Sequence, residues 1–299
     1  MNSLRETGAD AKGAGVYILV NDRVLDWATA CLASLRHYSP QVPIYLIPFD
    51  SQHARVRTLG RRMGCGWYES HLNPWLDGWG RRLFPQASRG DFYPIGFFDH
   101  IFRKFSVFWG PLDEFIFLDA DTLALTDVMP LLAKGKDSGD LSLGDVSFGD
   151  MDDHEANSGV FFSRRNALAP DDFEAAFQAA AARGRLLSSE QRLLTECIDR
   201  AGLRKTHLAN ALGCSNSVWA GLPVGGTLDS GFWHSDKAEG NALPFLHWAG
   251  WKQPDEIPHK ATWNHFYQLG LTQFPRCPDP PVDYEPVDCE AAAQLGGPL

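Results

Sequence analysis

Two aspartates separated by one residue are the clearest groups in the chain that could do chemistry. Asp119 and Asp121 directly follow residues 115–118, the most apolar and β-forming run in the sequence. Ligands of open α/β sheets bind outside the carboxyl ends of strands, and paired carboxylates near a core are costly unless a cation neutralises them. Mg²⁺ and Mn²⁺ prefer such oxygen ligands and leave positions for substrate phosphates. The pair therefore predicts a metal–diphosphate site. A solvated turn with a helix cap is the alternative, because a D-x-D sequence alone is common.

The segments that must position these carboxylates indicate an α/β fold. Apolar runs at 16–20, 44–47 and 115–118 predict strands buried on both faces, which is typical of a parallel sheet. Helical spacing over 25–35 predicts the first crossover helix. A basic stretch that Asp50 caps and that ends at Met63–Gly64 predicts the second. We expect a Rossmann-like, mostly parallel sheet flanked by helices.

The middle and end of the chain carry weaker patterns. Residues 66–97 are rich in Gly, Pro and aromatics and are predicted to be loop-like. The remaining predicted elements are a helix at 98–108, short strands at 141–143 and 160–162 flanking a polar loop at 144–159, helices at about 171–183 (capped by Asp171 or Asp172) and 190–201 (capped by Ser188 or Ser189), and a strand at 244–247.

The 299 residues show no repeat and no clean linker, which favours one domain over 15–273. We expect residues 1–14 to be disordered and residues 274–299 to form a Pro/Asp-rich mobile tail. A net charge of −10 disfavours nucleic acid as a partner. Six scattered cysteines without a C-x-x-C pair favour reduced thiols in the cytoplasm. No segment predicts a signal peptide or a membrane span, so any membrane contact would be peripheral.

Ten tryptophans exceed what most chains of this length carry. Most are expected to pack in the core. Trp75, Trp79, Trp248 and Trp251 lie in Gly/Pro-punctuated stretches and are candidates for flat platforms under sugar rings.

Four segments together resemble those of a known family. The sequence F-L-D-A-D-T at 117–122 resembles the D-x-D segment of GT-A-fold glycosyltransferases, especially family 8, which includes glycogenin and bacterial lipopolysaccharide galactosyltransferases. N-S-G-V-F at 157–161, E-Q at 190–191 and H-W-A-G-W-K-Q-P at 247–254 resemble the family's next three segments in the same order. The resemblance covers roughly residues 14–265.

The resemblance implies a metal centre made by Asp119, Asp121 and His247, with Asp119 also near the donor ribose. Imidazole suits Mn²⁺ better than Mg²⁺, so Mn²⁺ is the first expectation and Mg²⁺ the second. A histidine satisfied within its strand is the alternative for His247.

The resemblance also implies residues that bind the sugar donor. Val20, Asn21 and Asp22 would lie near the nucleotide base, and Arg103 or Lys104 would point at the donor. The set is completed by Gly250 and Lys252 at the diphosphate, Asn157 at the donor sugar, and Glu190 with Gln191 beside the anomeric carbon. Two departures stand out: Lys252 comes one residue early, and Glu190 replaces the usual aspartate.

These residues predict a metal-dependent glycosyltransferase that moves a sugar from a nucleotide-sugar donor, first of all a UDP-sugar, to an acceptor hydroxyl. The resemblance implies retention at the anomeric carbon, and front-side attack is the expected route because Gln191 is a poor nucleophile. An inverting enzyme would need a carboxylate base, for which Asp153, Asp229 and Asp236 are available. The alternatives are a nucleotidyltransferase, which lacks its usual Gly-rich loop here, and a non-catalytic nucleotide- or sugar-binding protein. The base, sugar, acceptor and oligomeric state stay open.

Overall fold

The computed structural model describes residues 13–83, 97–136, 145–149, 156–183, 189–208, 220, 227–229, 232–234, 244–250 and 257–272. The predicted tail and nearly all of the predicted disordered N-terminus lie outside these residues. The strands are β1 (Ala14–Val20), β2 (Ile44–Pro48), β3 (Gly66–Trp67), β4 (Glu114–Asp119), β5 (Thr122–Ala124), β6 (Val146–Phe148), β7 (Val160–Arg164), β8 (Lys205–His207), β9 (Thr227–Asp229), β10 (Phe232–His234) and β11 (Phe245–His247). The helices are α1 (Leu25–Tyr38), α2 (Ala54–Arg62), α3 (Asn73–Leu83), α4 (Phe97–Ile101), α5 (Met129–Lys136), α6 (Pro170–Ala182), α7 (Glu190–Arg200) and α8 (Lys260–Thr272), with 3₁₀ helices at Asp22–Val24 and Phe102–Trp109.

A seven-stranded sheet in the order β3-β2-β1-β4-β7-β6-β8 forms the centre. Its first four strands are parallel, and β7 runs antiparallel to both β4 and β6. Two smaller pairs, β11–β5 and β10–β9, are antiparallel. The predicted α/β class with a mostly parallel central sheet is confirmed.

The central strands lie between two apolar layers. Every residue of β1 after Ala14 is buried, as a strand covered on both faces requires. On one face, α1 packs against α8, where Gly270 comes close enough that a Cβ on it would lie 2.9 Å from the backbone oxygen of Thr29. The other face is aromatic, with Phe117 and Phe161 stacked at 5.1 Å between ring centroids. The sheet is thus held rigidly at the strand ends that carry the aspartates.

Helix α2 begins later than its predicted cap. Asp50 accepts hydrogen bonds from the Gln52 backbone and the Asn21 side chain, four residues before the helix starts. The backbone N–H of Val56 in the first turn is instead bound by Asp22 Oδ1 at 2.8 Å. The expected cap was wrong because a carboxylate from the 3₁₀ helix after β1 meets this helix end.

Three other predicted elements need correction. Residues 66–97 contain β3 and α3, so a loop throughout was wrong. The predicted polar loop at 144–159 contains β6, while the strand expected at 141–143 lies outside the described residues. The helix expected at 98–108 is α4 followed by a 3₁₀ helix.

The later helix starts agree closely with prediction. Ser189 Oγ caps α7 by accepting from the backbone N–H of Arg192 at 3.1 Å. Helix α6 begins at Pro170 with Ala169 as its N-cap, so the expected cap at Asp171 or Asp172 was wrong by two or three residues. Asp172 lies inside the first turn and stabilises it by accepting from the Ala169 backbone N–H at 2.7 Å. Among the described helices, none has both the length and the apolar character needed to cross a bilayer.

Two of the four tryptophans proposed as sugar platforms are core residues. Trp79 is 2% exposed and Trp248 is fully buried, so neither ring can receive a sugar. The indole of Trp248 donates to the Pro258 carbonyl at 2.8 Å, which satisfies its one polar group. Trp75 is half-buried against the edges of other aromatic rings, and Trp251 lies outside the described residues.

Candidate metal and donor site

Three side chains from two sheets converge at the end of β4. Asp119 ends β4, Asp121 precedes β5, and His247 ends β11. One ligand atom of each lies within 4.8 Å of the other two, and His247 Nε2 is 3.4 Å from Asp121 Oδ1. The imidazole is 3% exposed. Residues separated by more than 120 positions in sequence thus meet around one point, as the resemblance implied.

Backbone hydrogen bonds hold this arrangement. The N–H of Asp119 donates to the carbonyl of Gly159 at 2.7 Å, which ties the first carboxylate to the start of β7. His247 pairs with Thr122 in the β5–β11 ladder, and the N–H of Trp248 donates to the carbonyl of Asp121 at 2.9 Å. Asp121 and His247 are therefore neighbours through the main chain, independent of any bound ion.

Gly159 allows the close approach of the ligands. A Cβ at this position would lie 2.7 Å from His247 Nε2 and 2.9 Å from Asp119 Oδ2, closer than carbon atoms approach such groups in proteins. The glycine in the N-S-G-V segment is therefore required by space rather than by a turn conformation.

Lys104 lies beneath the two aspartates as a buried cation. Its side chain is 2% exposed, and Nζ lies 3.3 Å from each carboxylate oxygen of Asp119 and 3.6 Å from Glu190 Oε1. Nζ also donates to Ser158 Oγ at 3.2 Å. Burial lowers the pKa of Lys104, but the carboxylates of Asp119 and Glu190 outweigh burial and raise it. The ammonium is a fixed positive charge of the site.

The charges of the cluster fit a divalent cation. Asp119, Asp121 and Glu190 face the single ammonium of Lys104, so with His247 neutral the cluster carries a formal charge of −2. Asp121 Oδ1 is buried, and its 3.4 Å contact with His247 Nε2 is an ion-pair distance rather than a well-formed hydrogen bond. A buried carboxylate oxygen without a well-formed hydrogen bond is costly, and a bound cation removes that cost.

The pKa shifts have the same origin. Burial raises the pKa of Asp119, Asp121 adds to the rise, and Lys104 offsets only part of it. Burial lowers the pKa of His247, but Asp121 and then Asp119 outweigh burial and raise it. Two oxygens and one imidazole nitrogen form a donor set that accepts Mn²⁺ readily and Mg²⁺ less well.

The start of α7 lies against the same cluster. Glu190 Oε1 accepts from Ser158 Oγ at 3.2 Å, and Gln191 Oε1 accepts from the Ser158 backbone N–H at 3.1 Å. Asn157 Oδ1 accepts from the Gly159 N–H at 2.8 Å and so stabilises the turn into β7. The E-Q and N-S-G segments are therefore in direct contact, although 30 residues of sequence separate them.

Arg103 is oriented differently from its neighbour Lys104. Its guanidinium binds both oxygens of Asp77 on α3, at 2.8 and 2.7 Å, and the Pro48 carbonyl at 3.2 Å. Burial raises the pKa of Asp77, but the hydrogen bonds from Arg103 and His100 outweigh burial and lower it. Of the two basic residues predicted near the donor, the structure brings Lys104 to the metal cluster and pairs Arg103 with α3.

The remaining predicted donor residues lie near the end of β1 or outside the described part of the chain. Val20 is buried and its carbonyl accepts from the Phe49 N–H. The Asn21 side chain caps the first 3₁₀ helix by accepting from the Arg23 backbone N–H, and its amide donates to Asp50 after β2. Asp22 accepts from the Val56 backbone N–H in α2. Gly250, with φ of +90°, takes a left-handed conformation that favours glycine after β11. Lys252 and the proposed bases Asp153 and Asp236 lie outside the described residues, and Asp229 ends β9.

Sequence reasoning assigned no role to three residues of this region. Ser158 and Gly159 lie within a quoted segment, and their small size beside an asparagine was the only available signal. Asp77 lies on a helix that was predicted to be a loop.

The mixed sheet and the acidic pair at the end of β4 define the class of fold, which is the GT-A fold of glycosyltransferases. The chain is similar to galactosyltransferase LgtC solved with donor and acceptor sugar analogues, at 11% identity over 86% of this chain and 95% of that chain, with a TM-score of 0.50. An active-site mutant of LgtC, in which glutamate replaces a glutamine, matches at 12% identity over the same shares of both chains, with a TM-score of 0.50. The apo form of the glycosyltransferase GlyE from Streptococcus pneumoniae matches at 12% identity over 88% of this chain and 63% of that chain, with a TM-score of 0.50. No protein-family model and no curated relative matches the sequence.

Proposed function

We propose that this protein is a metal-dependent glycosyltransferase that transfers a sugar from a nucleotide-sugar donor to an acceptor hydroxyl. The observation that carries the proposal is the convergence of Asp119, Asp121 and His247 within 4.8 Å, with one buried Asp121 oxygen that accepts no well-formed hydrogen bond. These residues hold the cation, for which Mn²⁺ is the first candidate. The bound cation supplies Lewis-acid stabilisation of the leaving diphosphate.

The chain's own residues then stabilise charge and orient the donor. Lys104 keeps the Asp119 carboxylate in place and adds a buried positive charge. Lys252 and Arg103 are further candidates for the diphosphate, and Val20 to Asp22 for the nucleotide base, with uracil as the first base to test. Asn157 and Gly250 both lie in turns, and we propose that these turns border the donor.

Retention at the anomeric carbon is the proposed outcome. The carbonyl oxygen of Gln191 already accepts from the Ser158 N–H, so the group that Gln191 offers to a sugar is its amide N–H rather than a nucleophilic oxygen. In LgtC a glutamine is an active-site residue by the description of its mutant, which supports a role for Gln191 at the sugar. We therefore favour front-side attack: the acceptor oxygen bonds to the anomeric carbon as the bond to the diphosphate breaks, and the acceptor proton passes to the leaving phosphate oxygen.

We further propose that the protein acts in the cytoplasm and does not bind nucleic acid. Cys31 and Cys197 are buried free thiols, in keeping with a reducing compartment. The net charge of −10 opposes non-specific binding to phosphate backbones.

A thermal-shift panel tests the proposal. Nucleoside diphosphates and their sugars are added with and without Mn²⁺, and we expect the largest shift for a UDP compound with Mn²⁺. Asp121→Asn should abolish the Mn²⁺ dependence, because it removes a charge from the cluster. The matched control is Asp113→Asn, at the opposite end of β4 and paired with Arg165, which should leave the dependence intact.

Product analysis then separates the candidate activities. Free or transferred sugar detected by mass, with nucleoside diphosphate as the other product, supports the glycosyltransferase. Pyrophosphate release would indicate a nucleotidyltransferase, and binding without donor consumption would indicate a non-catalytic binding protein. Unchanged turnover by Asp121→Asn would show that the metal assignment is wrong.

A further inference from the structure

Ser158 contacts more of the site than its size suggests. It lies between the Asn157 turn and Gly159, is 1% exposed, and uses both its backbone N–H and its hydroxyl within the cluster. The N–H donates to Gln191 Oε1 and the hydroxyl lies 3.2 Å from Glu190 Oε1. One small residue therefore contacts both residues that begin α7.

Chemistry fixes the direction of the hydroxyl hydrogen bonds. The ammonium of Lys104 can only donate, so Ser158 Oγ accepts from it at 3.2 Å. The single hydroxyl hydrogen is then available to Glu190, whose carboxylate can only accept. The hydroxyl thus links a buried cation to a buried anion, and both ends of the link are charge-assisted.

The link limits where Glu190 can lie. Its side chain is 13% exposed and its carboxylate is 3.6 Å from the Lys104 ammonium, a longer contact than the bond to the hydroxyl. An attraction between charges acts over a range of directions, whereas a hydrogen bond selects one. Without the hydroxyl, the Glu190 carboxylate could swing to meet Lys104 directly and would leave the position that the hydrogen bond selects.

We propose that Ser158 is a positioning residue for sugar transfer, which sets Glu190 through its hydroxyl and Gln191 through its backbone N–H. The inference rests on the proposed function. The Ser158 hydroxyl reaches the proposed metal ligands only through Lys104. Ser158 therefore positions residues at the reacting end of the donor and does not bind the nucleotide. Its loss should therefore lower kcat and leave the KM for the nucleotide sugar nearly unchanged.

The test compares Ser158→Ala with Ser163→Ala. Ser163 lies in β7 and is fully buried. Its hydroxyl donates to the Asp145 carbonyl, at a distance of 2.9 Å, and takes no part in the site. Both variants lose one buried hydroxyl hydrogen bond, but only the first loses the link to Glu190. We expect kcat of Ser158→Ala to fall about tenfold or more, with KM within about twofold, while Ser163→Ala keeps both constants near wild type.

Conservative substitutions distinguish positioning from packing. Ser158→Thr keeps the hydroxyl and should restore most of the kcat. Ser158→Cys is nearly the same size with a weak S–H donor, and should show the alanine defect even if Ser158→Ala does not fold.

The outcomes separate the two levels of the proposal. A wild type that binds donor but never consumes it overturns the proposed function and with it this inference. An active wild type whose Ser158→Ala and Ser158→Cys variants match Ser163→Ala in kcat overturns the inference alone. A rise in KM with unchanged kcat would place Ser158 in donor binding and would equally refute a positioning role.

Discussion

Replacing Gly159 by alanine should damage the metal centre without removing a ligand. The new Cβ would lie 2.7 Å from His247 Nε2 and 2.9 Å from Asp119 Oδ2, where ordinary contacts begin at 3.4 Å. The same Cβ would lie still closer to His247 Cε1, so the imidazole must move by more than about 0.7 Å, which exceeds the roughly 0.5 Å within which a functional site must be held. The imidazole has little freedom, because its backbone is paired in β11 and its carbonyl accepts from the Ala220 N–H at 2.8 Å.

First, we expect Gly159→Ala to weaken Mn²⁺ binding about 10- to 100-fold, as other losses of support around a metal site do. Second, we expect it to lower the unfolding free energy by about 1–3 kcal/mol through overpacking. Isothermal titration with Mn²⁺ measures the first, and urea denaturation of the metal-free protein measures the second. Gly78→Ala is the control, because its Cβ meets nothing within 4 Å and lies in helix α3. It should stabilise the fold slightly and leave Mn²⁺ affinity unchanged. Wild-type Mn²⁺ affinity in folded Gly159→Ala would refute joint ligation by His247 and Asp119.

Two further predictions concern charge. Asp77→Asn should cost about 3 kcal/mol at pH 7, because it leaves the guanidinium of Arg103 without its partner. The lowered pKa of Asp77 means that its stabilisation is present above the unfolded value of about 3.9 and is lost as the pH falls through the folded pKa. The urea curves of wild type and variant should therefore approach each other as the pH falls below about 3.9. Glu174→Gln breaks an exposed pair and should lower the unfolding free energy by under about 1 kcal/mol, and a loss equal to that of Asp77→Asn would contradict the importance of burial. Lys104→Met removes the only buried ammonium among the described residues of the metal cluster. Titration should show that Mn²⁺ alone binds about tenfold tighter, while nucleoside diphosphate with Mn²⁺ binds more weakly. Unchanged Mn²⁺ affinity would contradict the charge balance.

The elements that the sequence predicted best are those whose residue pattern is dominated by burial alone. Strands β1, β2 and β4 are buried on both faces, so their apolar runs are continuous and have no competing interpretation. Helix α1 shows its apolar spacing over several turns. The first two carboxylates of the site followed from the same reasoning, because they end the most apolar strand.

The parts that sequence missed depend on tertiary contacts. Helix α3 contains Gly78 and Gly80, which weaken intrinsic helicity. It is stabilised by packing of Leu76 and Trp79 and by the pairing of Asp77 with Arg103, none of which has a local signal. The elements missed for the same reason are β3, β5, β6, β8, β9, β10, α5 and α8, of which the strands are too short to show a period.

His247 shows where the residues alone are insufficient. Nothing in its neighbourhood distinguishes a ligand from a satisfied strand histidine, and only the resemblance placed it in the site. The structure supplies the missing cause, since β11 pairs with β5 and not with the large sheet. A pairing between segments so distant in sequence cannot be inferred from either strand.

The D-x-D segment gains its meaning from the junction between two sheets. Asp119 is the last residue of a strand in the seven-stranded sheet, and Thr122 is the first residue of the small β5–β11 sheet. Ala120 and Asp121 are therefore the two residues that link one sheet to the other, and Asp119 and His247 come from different sheets. The N–H of Asp119 donates to the Gly159 carbonyl in the seven-stranded sheet, and the N–H of Trp248 donates to the Asp121 carbonyl beside the β5–β11 sheet. The distance between the two carboxylates therefore depends on how the two sheets pack. A cation bound by both aspartates and His247 would join the two sheets directly, so metal binding should stabilise the fold as well as the leaving group.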